Sequence, residues 1–414
     1  MRRAYLRMAV AAALVVARTA SAQTVTDWWE FSNKLYGTVQ GVPGHPPEQE
    51  RTVTRVALAM FEALNAIDRR YESYLNLPAG DPAASQDAAA ATAAYRVLVA
   101  SLPQHKTALD ESYSIAMDAV ADAPAKEAGR LIGERAAAAA LAVGGIDSTI
   151  APVPYRPRTT PGEWVATALP DIQPYMVTFH PWVIPSATAL RPPPPPALGS
   201  ARWARDYDEV RRLGGRASTE RTPRQTLAAR YRQVPELAPA LRAAAATPGR
   251  TPVQNARMLA IYQMAFDDAA LAMLEAKFYY NFWRPITAIR NGASDGNDAT
   301  QPDPAWLPLL PTPNFPEYPC GHCTVAGAVA EVMKAEVGAH PAGGVRVLAG
   351  AVPNSAVQVF PGWDEWAREV SDSRMLGGVH YRFSNEAGEE IGRRAARMVL
   401  EKVMRPLPGR GGRR

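Results

Sequence analysis

Much of what would place a chain quickly is missing here. Only two of the 414 residues are Cys, so this is not a small fold held together by disulfides. Beyond Gln23 no stretch is long and apolar enough for a bilayer span, which takes about 20 residues, so the mature chain is expected to lack a transmembrane segment. Four of the six histidines (His45, His105, His180 and His340) show no ligand spacing, which leaves little for a zinc site. Period-two alternation bounded by turn signals is nearly absent, and this argues against a sheet-based fold. With 47% hydrophobic and 21% charged residues the chain is neither disordered nor a coiled coil.

A formal charge of +5 invites a polyanion-binding reading, and the positions of the charges remove it. Arg2, Arg3, Arg7 and Arg18 lie in the first 22 residues, and Arg405, Arg410, Arg413 and Arg414 lie in a Gly/Pro-rich tail. Neither segment has an acidic residue, so the body from Gln23 to Met404 carries −3 and nucleic acid is not an expected partner. Arg2, Arg3 and Arg7 precede an apolar run, Met8 to Ala17, and the small residues Ala20-Ser21-Ala22 follow. This order reads as an export signal over 1–22, cleaved before Gln23. Its Arg-Arg start resembles a twin-arginine signal, but the usual preceding polar residues are absent, so the general secretory route and a periplasmic or secreted location are expected.

The rest reads as helices joined by Pro-rich loops. Val56, Met60, Leu64, Ile67 and Tyr71 recur at helical steps and predict a helix over 51–75. Ala-rich helices are expected at about 86–101, 108–122 and 126–143. These make a helical amino-terminal region over 23–150. The density of prolines over 151–203 forbids a helix and marks a loop or linker. A second helical bundle is expected over 204–404, followed by a basic tail over 405–414. Its strongest element starts at Thr251-Pro252, an N-cap followed by proline at the first helical position, and runs to Arg284-Pro285. The expected class is therefore all-α, one or more helical bundles with long Pro-rich loops.

Three segments place cations or imidazoles beside helix ends. Lys277 and Arg284, seven residues apart, fall about two helical turns apart on one face, a pair suited to an oxyanion. Cys320-Gly321-His322-Cys323 opens the helical run after Pro319, where free backbone N–H groups form an anion site. In Ser373-Arg374-Met375-Leu376-Gly377-Gly378-Val379-His380 the glycine pair should end a helix bearing Arg374 and let His380 turn back from a loop.

Together these segments spell Lys-x6-Arg-Pro, Pro-x-Gly-His and Ser-Arg-x5-His, with 33 residues between the first two prolines and 50 between His322 and Ser373. This pattern resembles the signature of the superfamily that unites vanadium-dependent haloperoxidases with type 2 phosphatidic acid phosphatases. The segment Arg55 to Leu75 is similar to the amino-terminal helix of the bacterial haloperoxidase-like branch. The resemblance implies that Lys277, Arg284, Cys320, Gly321 and Arg374 bind the oxygens of vanadate or phosphate. It implies that His322 is the acid/base group. His380 would be the axial vanadium ligand in a haloperoxidase using peroxide and halide, or the nucleophile forming a phosphohistidine in a phosphatase acting on a phosphomonoester. Vanadate is the implied cofactor of the first activity, and the second needs none; subunit number, including a homo-oligomer, stays open.

Two positions depart from the superfamily pattern. Cys320 stands where it has Ser, and Ser384 where it has the Asp that holds the axial His. Asn385 and Glu386 are the neighbouring candidates to replace that Asp. Cys320 and Cys323 also form the CxxC of thiol-disulfide oxidoreductases, and their pairing in a disulfide is left open. That rival activity requires a strand before the first Cys; instead the preceding residues are dense in proline.

Overall fold

The computed structural model describes residues 22–38, 47–121, 123–150, 156, 158–167, 175–231, 235–349 and 357–408. Nearly all of the predicted leader and the last six tail residues lie outside them. Within them the fold is all-α, with one small sheet. The chain divides into two compact units. One comprises 1–145, 241–264 and 400–414, the other 146–240 and 265–399.

The first unit is built on α1 (Ala22–Tyr36), α2 (Thr52–Ile67), α3 (Gln86–Ser101), α4 (Lys106–Asp118) and α5 (Ala123–Leu141). Every residue of α2 is buried. It stops at Ile67, short of the predicted 75, because side chains of its last turns take over the following backbone. Asn65 Oδ1 accepts from the N–H of Arg70 and Tyr71, and the Glu62 carboxylate accepts from Tyr74 and Leu75. Helices α3 and α5 approach closely where α5 has no side chain: a Cβ on Gly133 would stand 2.5 Å from the Ala89 carbonyl. Alanine-rich sequences allow that approach, and Ala88 to Ala91, Ala93 and Ala94 of α3 and Ala136, Ala137 and Ala140 of α5 are buried.

The second unit holds α6 (Ala201–Gly214), α7 (Pro223–Tyr231), α10 (Pro285–Arg290), α11 (Gly321–Val337), α12 (Trp363–Leu376) and most of α13 (Arg382–Lys402). Between them the chain forms α8 (Ala238–Ala245) and the long α9 (Pro252–Tyr280), which both units share. The sequence pattern missed a three-stranded antiparallel sheet in the order β1 (Pro235–Glu236), β2 (Val345–Ala349), β3 (Gln358–Phe360); strands of two to five residues are too short to show a period.

Helix α9 ends at Tyr280, not at Arg284. Asn281 adopts φ 47, a left-handed conformation that Asn tolerates, and Phe282 to Arg284 continue extended. Pro285 therefore begins a helix instead of ending one: Arg284, at φ −78 and ψ 153, sits just before α10 with proline at its first position, as the missing N–H of proline favours. The extended piece is held on both sides. Trp283 N donates to Gly162 O at 3.0 Å, and Glu317 N donates to Phe282 O at 2.8 Å.

Glycines also set the contact between α11 and α13. A Cβ on Gly392 would overlap the Thr324 carbonyl, and one on Gly388 the Cys320 carbonyl. Cys320 N donates to Ser384 O at 3.0 Å, which ties the start of α11 to that of α13. An aromatic core of Trp203, Tyr207, Phe282, Trp283, Tyr381 and Phe383 underlies this junction.

Candidate active site

All the predicted site residues belong to the second unit, and Arg284, Lys277, Arg374 and His322 lie near enough to His380 for their charges to disfavour its protonated form. Lys277 comes from the last turn of α9, Arg284 from the extended segment after it, and Arg374 from the last turn of α12. His380 lies in the short connection to α13, reached through Gly378 at φ 76. Gly321 and His322 are the first two residues of α11, and His322 is half-buried. The convergence of Lys277 and Arg284 does not come from a shared helix face, as the spacing suggested, but from a chain that leaves the helix and returns.

The three cations are almost entirely removed from solvent. Lys277 Nζ donates to the carbonyls of Pro316 at 3.0 Å and Glu317 at 2.7 Å. Its pKa lies well below the ordinary lysine value because burial and the charges of Arg284 and Arg374 outweigh the pull of Glu317. Arg284 donates through Nε to Phe315 O and through Nη1 to Val379 O, both at 2.9 Å. Burial lowers it to about 10 despite the help of Glu317. Burial, with Arg284 adding repulsion, lowers Arg374 to about 9. Arg284 Nη2, Arg374 Nε and Arg374 Nη1 are buried donors with no partner. Orphaned donors of this kind cost about 1–3 kcal/mol each, more on a charged group, and Arg284 and Arg374 stand close enough for their charges to repel.

Sequence reasoning missed one residue. The carboxylate that meets His380 is Glu317, whose Oε1 lies 2.7 Å from His380 Nδ1 and also accepts from Tyr381 N at 3.1 Å. Neither proposed substitute reaches it. Glu386 is exposed and paired with Arg202, and Asn385 Nδ2 donates to Ser371 O. Ser384 Oγ is buried without a hydrogen-bond partner, though it is near enough to Glu317 to favour the charged carboxylate. Burial raises Glu317 to about 7, against the lowering effect of Lys277 and Arg284. Burial and the surrounding cations hold His380 well below the ordinary histidine value, so its ring is neutral at neutral pH. A signal for Glu317 was present, since it is the only acidic residue between Pro304 and Ala330, five positions before His322.

Cys320 and Cys323 form a disulfide, and both are fully buried. Cys320 Sγ caps α11 by accepting from Cys323 N at 3.2 Å. Joined to a second sulfur, Cys320 Sγ carries no hydrogen to donate. No strand precedes the pair among the described residues 309–319, so the setting required for a thiol-disulfide oxidoreductase is absent.

Residues 257–409 match the family model described as VCPO second helical-bundle domain. The chain is 27% identical over 180 residues to the vanadium chloroperoxidase of Curvularia inaequalis, covering 33% of this chain and 29% of that relative, so the match spans under a third of the relative's length. A bacterial vanadium-dependent iodoperoxidase structure superposes with a TM-score of 0.71 at 22% identity, covering 92% of this chain and 95% of the other. The holo-type structure of a bacterial vanadium-dependent chloroperoxidase gives 0.62 at 16% identity, covering 95% and 96%. Residues 257–409 are thus similar to a VCPO second helical-bundle domain, and the chain has the fold of the bacterial vanadium haloperoxidase structures.

Proposed function

We propose that the protein is an exported haloperoxidase-type enzyme that binds one vanadate in the pocket of Lys277, Arg284, Gly321 and Arg374 and oxidises a halide with hydrogen peroxide. The observation that carries this reading is the surplus of buried positive charge: three cations face one carboxylate, and three guanidinium nitrogens lack any partner. Such an arrangement is costly when empty and is relieved by a tetrahedral oxyanion.

The donor set fits vanadate. Arg284 Nη2, the Arg374 guanidinium and Gly321 N–H at the start of α11 would hold its oxygens, Lys277 would contribute charge, and His380 Nε2 would be the side-chain ligand to it. Vanadate supplies a Lewis-acidic centre that activates peroxide towards halide. The chain's own residues bind, orient and move protons. His322, at the rim of the pocket and half-buried, is placed to exchange a proton with the bound oxygens and with solvent. The neutral His380 ring offers a lone pair rather than a fourth positive donor. Burial of the cations keeps water from screening them, which strengthens their hold on charge that develops during reaction. The disulfide agrees with export through an oxidising compartment.

The test is to load the purified chain with vanadate and assay peroxide-dependent bromination and iodination, with phosphomonoester hydrolysis measured on the unloaded protein. Halide oxidation that depends on vanadate and is lost in His380→Ala supports the proposal. Hydrolysis with no halide oxidation would replace it with the phosphatase reading of the same pocket.

A further inference from the structure

The second unit offers other candidates. The surface network of Glu331, Lys334, Asp364 and Arg393 is internally paired, and the buried Asp268 is fully used by the backbone N–H groups of Trp182, Val183 and Ile184. Glu317 differs, because its side chain meets the ring of His380 from a segment 63 residues upstream.

We propose that Glu317 is the positioning residue of His380: it fixes the ring as the Nδ1–H tautomer and so keeps the Nε2 lone pair available to an oxyanion, the task that Ser384 has lost. This inference rests on the proposed function and assigns a part to a residue outside its three motifs. The argument is geometric. His380 Nε2 lies 3.2 Å from Arg284 Nη1, and a guanidinium nitrogen can only donate, so Nε2 is the acceptor. The ring's proton must then sit on Nδ1, which faces the Glu317 oxygen at 2.7 Å. The opposite tautomer would set two donors against each other at Nε2 and two acceptors against each other at Nδ1.

The carboxylate is itself held still. Oε1 takes Tyr381 N–H, the residue's own N–H is spent on Phe282 O, and its carbonyl binds Lys277 Nζ. The segment that carries Arg284 and the segment that opens α11 thereby fix the ring of a third. In the ligand-free pocket the lone pair rests on Arg284, and an arriving oxyanion exchanges with it. A carboxylate partner also raises the basicity of such a ring, and loss of such a partner costs a metal centre about 10–100-fold in affinity.

Histidine-selective 15N NMR on the full chain, with the His380 signal assigned by its loss in His380→Ala, reads the tautomer without any ligand. Calorimetry with vanadate and with inorganic phosphate reads the consequence. In the native chain Nδ1 should be protonated and Nε2 bare. Glu317→Leu should lose that preference, and Glu317→Leu with Ser384→Asp should regain it. Glu317→Gln keeps an oxygen in place of Oε1; it should retain the tautomer, bind vanadate about tenfold more weakly, and bind phosphate as well as or better than before, because phosphate takes no lone pair from the ring. A bare Nδ1 in the native chain, an unchanged tautomer in folded Glu317→Leu, or unchanged vanadate affinity in Glu317→Gln would each overturn the proposal. Should Glu317→Leu fail to fold, the native tautomer and the vanadate–phosphate split in Glu317→Gln still decide. A native chain that binds neither anion would refute the proposed function while leaving the tautomer result to stand on its own.

Discussion

Arg374→Met should make the ligand-free protein more stable and at the same time blind to phosphate. Arg374 Nε and Nη1 are buried with no partner, and such donors on a charged group cost upwards of about 1–3 kcal/mol each. Burial and Arg284 lower the guanidinium from its ordinary value to about 9, and at ~1.4 kcal/mol per pKa unit this sets an upper bound of about 5 kcal/mol on the penalty for keeping the charge there. Methionine fills a similar length without polar atoms, so the empty variant should gain about 2–4 kcal/mol. Saturating phosphate, at a hundred times its dissociation constant, should stabilise the native chain by about 2.7 kcal/mol and the variant by almost nothing. Denaturant unfolding at neutral pH with and without phosphate measures both effects. A variant that is less stable when empty and still stabilised by phosphate would refute the reading of Arg374 as an unsatisfied oxyanion ligand.

Three further outcomes follow from the same geometry. His322→Ala should leave vanadate affinity within about threefold but lower peroxide-dependent turnover by about 100-fold or more, as steady-state kinetics on the loaded variant will show. Because Glu317 is raised from 4.5 to about 7, the folded chain keeps a proton that the unfolded chain releases between those values. Its contribution is full below pH 4.5 and is lost as pH rises through 7, so the native chain should gain about 3 kcal/mol relative to Glu317→Gln over that descent, measured by denaturant unfolding across pH. Cys320→Ser combined with Cys323→Ala restores a hydroxyl donor at the mouth of α11 and should tighten phosphate about tenfold, the equivalent of about 1.4 kcal/mol for a hydrogen bond to a charged group; calorimetry that shows no change would place Cys320 outside the oxyanion site.

What the sequence made legible was the chemistry, because each motif joins a reactive side chain to a local backbone event. Gly377-Gly378 ends α12 and turns His380 inward, and Pro319 and Cys320 open α11 beside Gly321. What it hid were the contacts made between segments distant in the chain. Helix α9 ends at Tyr280, four residues before Arg284, and no helical period reveals that. Glu317 was overlooked because the carboxylate was sought along α13, four residues after His380, although the side chain that reaches Nδ1 comes from 63 positions upstream. The short sheet escaped for a different reason, since β1 pairs with a segment over a hundred residues away and the strands are too short to carry a pattern of their own.

Isothermal titration of vanadate into the native chain and into His380→Ala tests the central claim most directly. The account predicts one site per chain in the native protein and affinity weakened by at least about tenfold in the variant. Absence of binding to the native chain, or equal binding to both, would contradict it.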